Sequence, residues 1–214
     1  MISILMPIFN GIEFIDESVG SILNQTYTNW ELLIGINGFS ENSNEYQIAA
    51  KYENAQIKVF DFYNITGKSN TLNELIKYAK FDFIALMDVD DIWFNEKLTI
   101  QSTLLNKFDV LGTQCIWFGD RSGIISSIPT GDISNFNFKL VNPIINSSSI
   151  IKKKLCYWIS NDGLEDYELW LKLRKNGYTF FNFTDILVKH RIHSDSAFNS
   201  KNNTSKLLNI LKNY

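Results

Sequence analysis

A chain of 214 residues holds one sizeable α/β domain and is marginal for two. Hydrophobic content of 45% with 14% aromatic residues indicates a globular core, and a net charge of −3 excludes the basic footprint of a nucleic-acid binder. Two cysteines, Cys115 and Cys156, make neither a disulfide framework nor a metal-ligand pair, so a reducing, cytoplasmic compartment is expected.

Residues 2–9 are apolar and β-rich, too short for a membrane span and without a basic leader, so no transmembrane segment is expected. Residues 13–24 place Phe14, Ile15, Val19, Ile22 and Leu23 at helical spacing. Residues 30–36 are a second apolar run, 42–52 a helix, 56–60 a strand, 69–79 a helix and 81–87 a strand. That βαβαβαβ order implies a mostly parallel, doubly wound sheet with helices on both faces. The second half is less regular. A helix is expected at about 95–106, then a hairpin of 110–118 and 124–128 around Gly119-Asp120-Arg121-Ser122-Gly123. A strand at 144–151 follows, then the basic run Lys152-Lys153-Lys154, which reads as a solvated helix start. Residues 164–175 form an amphipathic helix stopped by Asn176-Gly177. Short strands at 178–183 and 186–190 and a helix at 205–211 complete the chain.

The chemistry concentrates in four places. Asp88-Val89-Asp90-Asp91 emerges from the carboxyl end of the fourth strand, where open α/β sheets bind ligands. Clustered carboxylates repel, so they are tolerated mainly around a cation or a donor network. Spacing alone leaves a divalent-metal site level with a polar loop capping the next helix. An EF-hand is excluded, because Ile92, Trp93 and Thr99 break its ligand pattern. Gly67-Lys68-Ser69 fails as a P-loop because Phe62 stands where a glycine is needed. It still opens a helix, where free N–H groups and Lys68 can meet an anion, a reading level with that of a plain solvated terminus. Glu165, Asp166 and Glu168 crowd the first turn of the helix at 164–175, which its dipole suffices to explain; beside a metal-diphosphate site the same cluster supplies a candidate general base. His190 and His193 would point to opposite sides of a strand, which makes joint chelation unexpected and His193 the better ligand candidate.

Taken in order, several stretches resemble the family 2 inverting glycosyltransferases of the GT-A fold. These are Ile4-Leu5-Met6-Pro7-Ile8-Phe9-Asn10, Ser21-Ile22-Leu23-Asn24-Gln25-Thr26-Tyr27, Asn29-Trp30-Glu31-Leu32-Leu33-Ile34, and Asp88-Val89-Asp90-Asp91-Ile92-Trp93 on the DxD motif. Gly163-Leu164-Glu165-Asp166-Tyr167-Glu168 and Arg191-Ile192-His193-Ser194 resemble the family's base-bearing and closing motifs. The resemblance implies an α/β GT-A, Rossmann-like architecture: a mostly parallel central sheet flanked by helices, with a smaller mixed acceptor-side region. Residues 1–214 would be a single glycosyltransferase domain, about 1–94 forming the donor half and 95–214 the acceptor half. It further implies Asp166 as general base with Glu165 as fallback, Asp90 on Mn²⁺ or Mg²⁺ with Asp88 near the ribose or metal, and His193 as an extra metal or diphosphate contact. Pro7, Phe9, Asn37, Lys68 and Val89 would line the nucleotide-sugar site, and Asp91 is either a further contact or a helix cap. One departure stands out: Ile36 and Asn37 replace an acidic pair after the second strand, leaving Asn37 to read the base without charge.

The expected activity is metal-dependent, inverting, hexosyltransferase-type transfer from a nucleoside diphosphate sugar, a UDP-sugar foremost, to a hydroxyl of a glycan or other acceptor. The compact acceptor region leaves room for a partner or attached domain to complete it. The alternative is a non-catalytic nucleotide-sugar or glycan-binding module of the same fold, motivated by Ile36-Asn37. A sugar nucleotidyltransferase is disfavoured, since Asn10-Gly11-Ile12-Glu13 offers no Gly- and Arg-rich loop.

Overall fold

The computed structural model describes residues 1–159, 163–193 and 203–214. Four parallel strands, β1 (Ile2–Ile8), β2 (Trp30–Asn37), β3 (Ile57–Phe62) and β4 (Phe83–Leu86), lie in the order β3-β2-β1-β4. Every residue of β1 and β2 is buried, which is why both read as unbroken apolar runs rather than alternating ones. Alternation sorts their side chains between two layers. Ile4, Met6, Leu32 and Ile34 pack with Val19 and Ile22 of α1 (Ile15–Leu23), while Leu5 and Leu33 pack with Leu72 and Leu75 of α3 (Lys68–Tyr78). Helix α2 (Asn44–Ala50) starts on Ser43, whose hydroxyl accepts from the Tyr46 amide.

Beyond β4 the sheet becomes mixed, and the α/β architecture is a parallel half continued by a mixed half. The remaining elements are β5 (Ile92–Trp93), α4 (Lys97–Ser102), β6 (Val110–Gly119), β7 (Gly131–Asp132), β8 (Ile150–Lys152), α5 (Glu165–Lys175), β9 (Phe180–Ile192) and α6 (Asn203–Asn213). The order continues β4-β8-β6-β9-β5, with β7 also on β9. Strand β8 is antiparallel to both neighbours, and β6 and β9 are parallel. No helix among the described residues is long and apolar enough to cross a membrane.

Four expectations change here. The strand expected at 144–151 is cut to β8, because Asn146–Ser148 form a 3-10 turn. Ser148 and Ser149 bond back to the carbonyls of Ile145 and Asn146, an alternative to ladder pairing that serine offers its own backbone. The two strands expected at 178–183 and 186–190 are one, β9. Its partners jump from Thr113–Phe183 to Gln114–Ile186, so Thr184-Asp185 is an irregularity within a strand rather than a turn between two. The hairpin return at 124–128 forms no strand: it meets β6 through one ladder bridge, Ile116–Ile125, two flanking amide bonds, and side-chain bonds from Ser126 and Gln114. The helix expected at 95–106 shrinks to α4.

The β6–β9 pairing depends on one glycine. Gly112 faces Asn182, and a Cβ at Gly112 would meet Asn182 Oδ1 at 2.2 Å and Ile144 Cδ1 at 2.9 Å. Asn182 cannot retreat, since its amide donates to the carbonyls of Pro129 and Pro143, both at 2.7 Å. Gly112→Ala is therefore expected to cost about 1–3 kcal/mol as overpacking, read from urea unfolding midpoints; an unchanged midpoint would count against this packing account.

Candidate active site

The carboxyl ends of β1, β2 and β4 open into a cavity of about 590 Å³. Its walls include Pro7, Phe9, Asn37, Lys68, Asp88, Val89, Asp90 and His193, so these residues, named separately from the sequence, line one space. Phe9 lies so close over Gly38 that a Cβ there would sit 2.5 Å from the ring, and Gly38 has φ 78°, so glycine serves both contact and turn. Asn37 is buried and its amide donates to the Ile8 carbonyl at 3.0 Å, which joins β1 to β2 at the cavity floor. Its Oδ1 has no hydrogen-bond partner among the described residues. His190, His193, Gly163 and Glu165 also reach this cavity, so it draws on both halves of the chain.

The three carboxylates after β4 do different things. Asp88 has one oxygen 2.6 Å from the Lys68 ammonium and accepts from Asn146 at 2.8 Å with the other. Burial alone would raise its pKa, but Lys68 outweighs that and holds the carboxyl below its ordinary value. Asp91 is fully buried and is not a helix cap; Glu96, not Asp91, precedes α4. It accepts from the Arg191 amide at 2.9 Å and faces His190 Nδ1 at 3.1 Å, binding the loop to β9. Burial disfavours charge on His190, yet Asp91 prevails and lifts its pKa to about 9, so the ring is an imidazolium at neutral pH. Asp90 contacts His193 Nε2 at 3.0 Å. Burial, then the charges of Asp91 and Asp88, push Asp90 up to about 6. The two histidines thus reach different carboxylates. Arg191 completes the junction: its Nε donates to the Asp90 carbonyl, and its guanidinium lies 4.2 Å from the Phe14 ring and 4.3 Å from that of Phe118. Ser194, the last residue of the Arg-x-His stretch, lies outside the described residues.

A second cavity, of about 610 Å³, lies against the first. Lys68, Asp88, Glu165 and His190 line both, and Asp166 lines only the second. Glycine 163, at φ 79°, turns the chain into α5, whose first turn carries Glu165 and Asp166. Buried Glu165 has Oε1 3.6 Å from Lys68 Nζ, and its Oε2 has no partner among the described residues. Burial opposes the charge of Lys68, but Asp88 and then Glu165 hold its pKa well above the ordinary lysine value. Burial and then the neighbouring Glu165 charge push Asp166 up to about 6, against the pull of Lys68. Asn142 donates to Asp166 at 3.2 Å. Asn142, Asn146 and His190 were not singled out from the sequence for these roles, because asparagines are scattered through the chain and nothing local marks these two.

Among the described residues no three His, Cys, Asp or Glu side chains converge as a ready-made ion site. Asp90 and His193 are adjacent donors, whereas both oxygens of Asp88 are taken by Lys68 and Asn146. Magnesium-like ions commonly take one or two protein ligands and complete their shell with water and substrate phosphates. An oxygen and a nitrogen in contact, on a carboxylate already crowded by two others, fit that pattern.

Comparisons with known proteins place this geometry. The family model described as "Glycosyl transferase family 2" matches residues 3–152. The chain is 28% identical over 210 residues to the Escherichia coli UDP-Glc:alpha-D-GlcNAc-diphosphoundecaprenol beta-1,3-glucosyltransferase WfgD, covering 94% of this chain and 81% of that protein. It is 28% identical to an uncharacterized glycosyltransferase of Rickettsia felis, covering 99% of this chain but only 37% of that protein. Staphylococcus aureus TarS, solved with UDP-GlcNAc, superposes with a TM-score of 0.79 at 18% identity, covering 99% of this chain and 64% of that one. The mannosyltransferase PcManGT of Pyrobaculum calidifontis, solved with GDP-Man and Mn²⁺, gives a TM-score of 0.69 at 13% identity, over 92% of this chain and 58% of that one. At these identities the structures speak to the fold, which is GT-A.

Proposed function

The chain belongs to glycosyl transferase family 2, and on that premise we propose metal-dependent, inverting transfer of a hexose-type sugar from a nucleoside diphosphate sugar to a hydroxyl of a glycan or other acceptor. Residues 1–214 act in this reading as one glycosyltransferase domain. The observation that carries it is the pair of adjoining cavities. One is lined by Phe9, Asn37, Asp90 and His193, the other by Asp166, and Lys68, Asp88 and Glu165 stand between them. The first suits the donor and the second the acceptor. WfgD is named for UDP-Glc, TarS was solved with UDP-GlcNAc and PcManGT with GDP-Man, which supports a nucleotide-sugar donor and puts a UDP-sugar first.

In the transfer, the acceptor hydroxyl gives its proton to the Asp166 carboxylate as its oxygen bonds to the anomeric carbon. The bond from that carbon to the diphosphate oxygen breaks on the opposite face and its electron pair leaves with the diphosphate, which inverts the configuration. Lys68, already at the junction of the cavities, can exchange Asp88 for the departing phosphates. Mn²⁺ or Mg²⁺ held by Asp90 and His193 would offset charge on the leaving diphosphate as a Lewis acid. Glu165 keeps the Lys68 ammonium beside the base.

Thermal shift with nucleoside diphosphates and their sugars tests the reading. A ligand at a hundred times its Kd stabilises the folded state by about 2.7 kcal/mol. The expected result is a rise in midpoint with a UDP- or GDP-sugar and Mn²⁺, lost on chelation and reduced in Asp90→Asn. No shift with any of them contradicts the donor site. A shift without turnover of any donor returns the chain to the non-catalytic reading.

A further inference from the structure

Exposed apolar side chains stand on the segments that form or adjoin the Asp166 cavity. Leu140, which lines it, is 74% exposed; Leu208, on the helix that lines it through Leu207 and Leu211, is 53% exposed; and Tyr157, beneath Lys172 of α5, is 60% exposed. Helix α6 packs through Leu207, Ile210 and Leu211, with Tyr214 just after it, against the layer that includes Leu169 and Leu173 of α5, and this turns Leu208 and Lys212 outward. A soluble surface seldom leaves aliphatic groups gathered without a partner.

The charge on this face runs against that of the whole chain. Helix α6 carries Lys206 and Lys212 and no acidic residue, in a protein of net charge −3. Exposed Lys139 precedes Leu140, Lys172 lies 5.2 Å over the Tyr157 ring, and Lys175 reaches the Asn213 carbonyl at 3.0 Å. The carboxylates of Glu165 and Asp166 face into the cavity rather than offsetting these lysines. Aliphatic tips between lysines suit the boundary of an anionic bilayer, where apolar groups enter below the headgroups and ammonium groups meet phosphates. A second copy of the chain would bring the same cations face to face, which disfavours self-association through this surface.

We propose that this face seats the protein on an anionic lipid surface, so that an acceptor presented at the bilayer enters the Asp166 cavity directly. Entry of the acceptor rests on the transferase reading above; the docking itself does not. The test is flotation of the full chain with vesicles of phosphatidylcholine, alone or mixed with phosphatidylglycerol. Binding is expected to the mixed vesicles and to weaken as salt rises. Lys212→Glu should lower the affinity about fivefold per unit of charge removed, and Leu208→Asp should lower it further. Neither residue lines the donor or the Asp166 cavity, so both variants should keep the parent's melting midpoint and donor-induced shift. Equal binding to neutral and mixed vesicles, or variants that bind as the parent does, would overturn the proposal. So would a dimer that the same substitutions dissociate while vesicle binding is absent. A parent that floats with vesicles yet shows no donor shift would sink the transferase reading and leave the docking intact.

Discussion

Asp166→Asn is expected to lower the transfer rate by about 10²–10⁴-fold, the usual worth of a positioned general base. The amide keeps the volume and can still meet Asn142, so the fold and the donor-induced thermal shift should persist. Asp166 does not line the donor cavity, which is why binding and turnover are expected to separate. The pH dependence follows from the raised pKa. Burial and the Glu165 charge put the Asp166 proton at about 6, and the base works only when that proton is gone. The rate of the parent should therefore fall about tenfold per unit below pH 6 and level off above it. Glu165→Gln removes the like charge and should move the midpoint down; Lys68→Met removes the opposing charge and should move it up. A variant Asp166→Asn that transfers sugar at the parental rate would assign the base elsewhere.

The second large effect falls on stability. Asp91→Ala is expected to cost about 1–3 kcal/mol, because it removes a fully buried acceptor from the Arg191 amide and from His190. Asp91 is the chief charge lifting the His190 pKa to about 9 against the effect of burial, so that pKa should fall in the same change. Asp91→Asn should cost less, since an amide oxygen can still accept from Arg191. Urea unfolding midpoints measure both. A consequence for the site follows: β9 carries His193 to Asp90, so loosening the junction should also weaken the Mn²⁺ contribution to the donor shift. A change within about 0.5 kcal/mol, the range of ordinary surface substitutions, would show that Asp91 does not carry this junction.

The parallel half was legible because β1 and β2 are buried on both faces, so local composition and tertiary position coincide. The second half was less so, for reasons visible at particular residues. Ser148 and Ser149 spend their hydroxyls on nearby carbonyls and shorten a strand that hydrophobicity alone would extend. Thr184-Asp185 looks like a break yet lies inside β9, since β6 supplies a partner on either side of it. Gly112 and Asn182 are unremarkable in sequence and become mutually necessary only when their strands meet.

By itself the sequence determined the run of alternating strands and helices and the two acidic clusters at Asp88-Asp90-Asp91 and Glu165-Asp166. Both are written in short stretches where neighbours in the chain are neighbours in space. The division of labour among those carboxylates was decided only by the tertiary structure. Asp88 pairs with Lys68 twenty residues earlier in the chain, Asp91 with His190, and Asp90 with His193. The charge each carboxylate keeps depends on partners that only folding brings within 3 Å or so, and no local pattern encodes that distance.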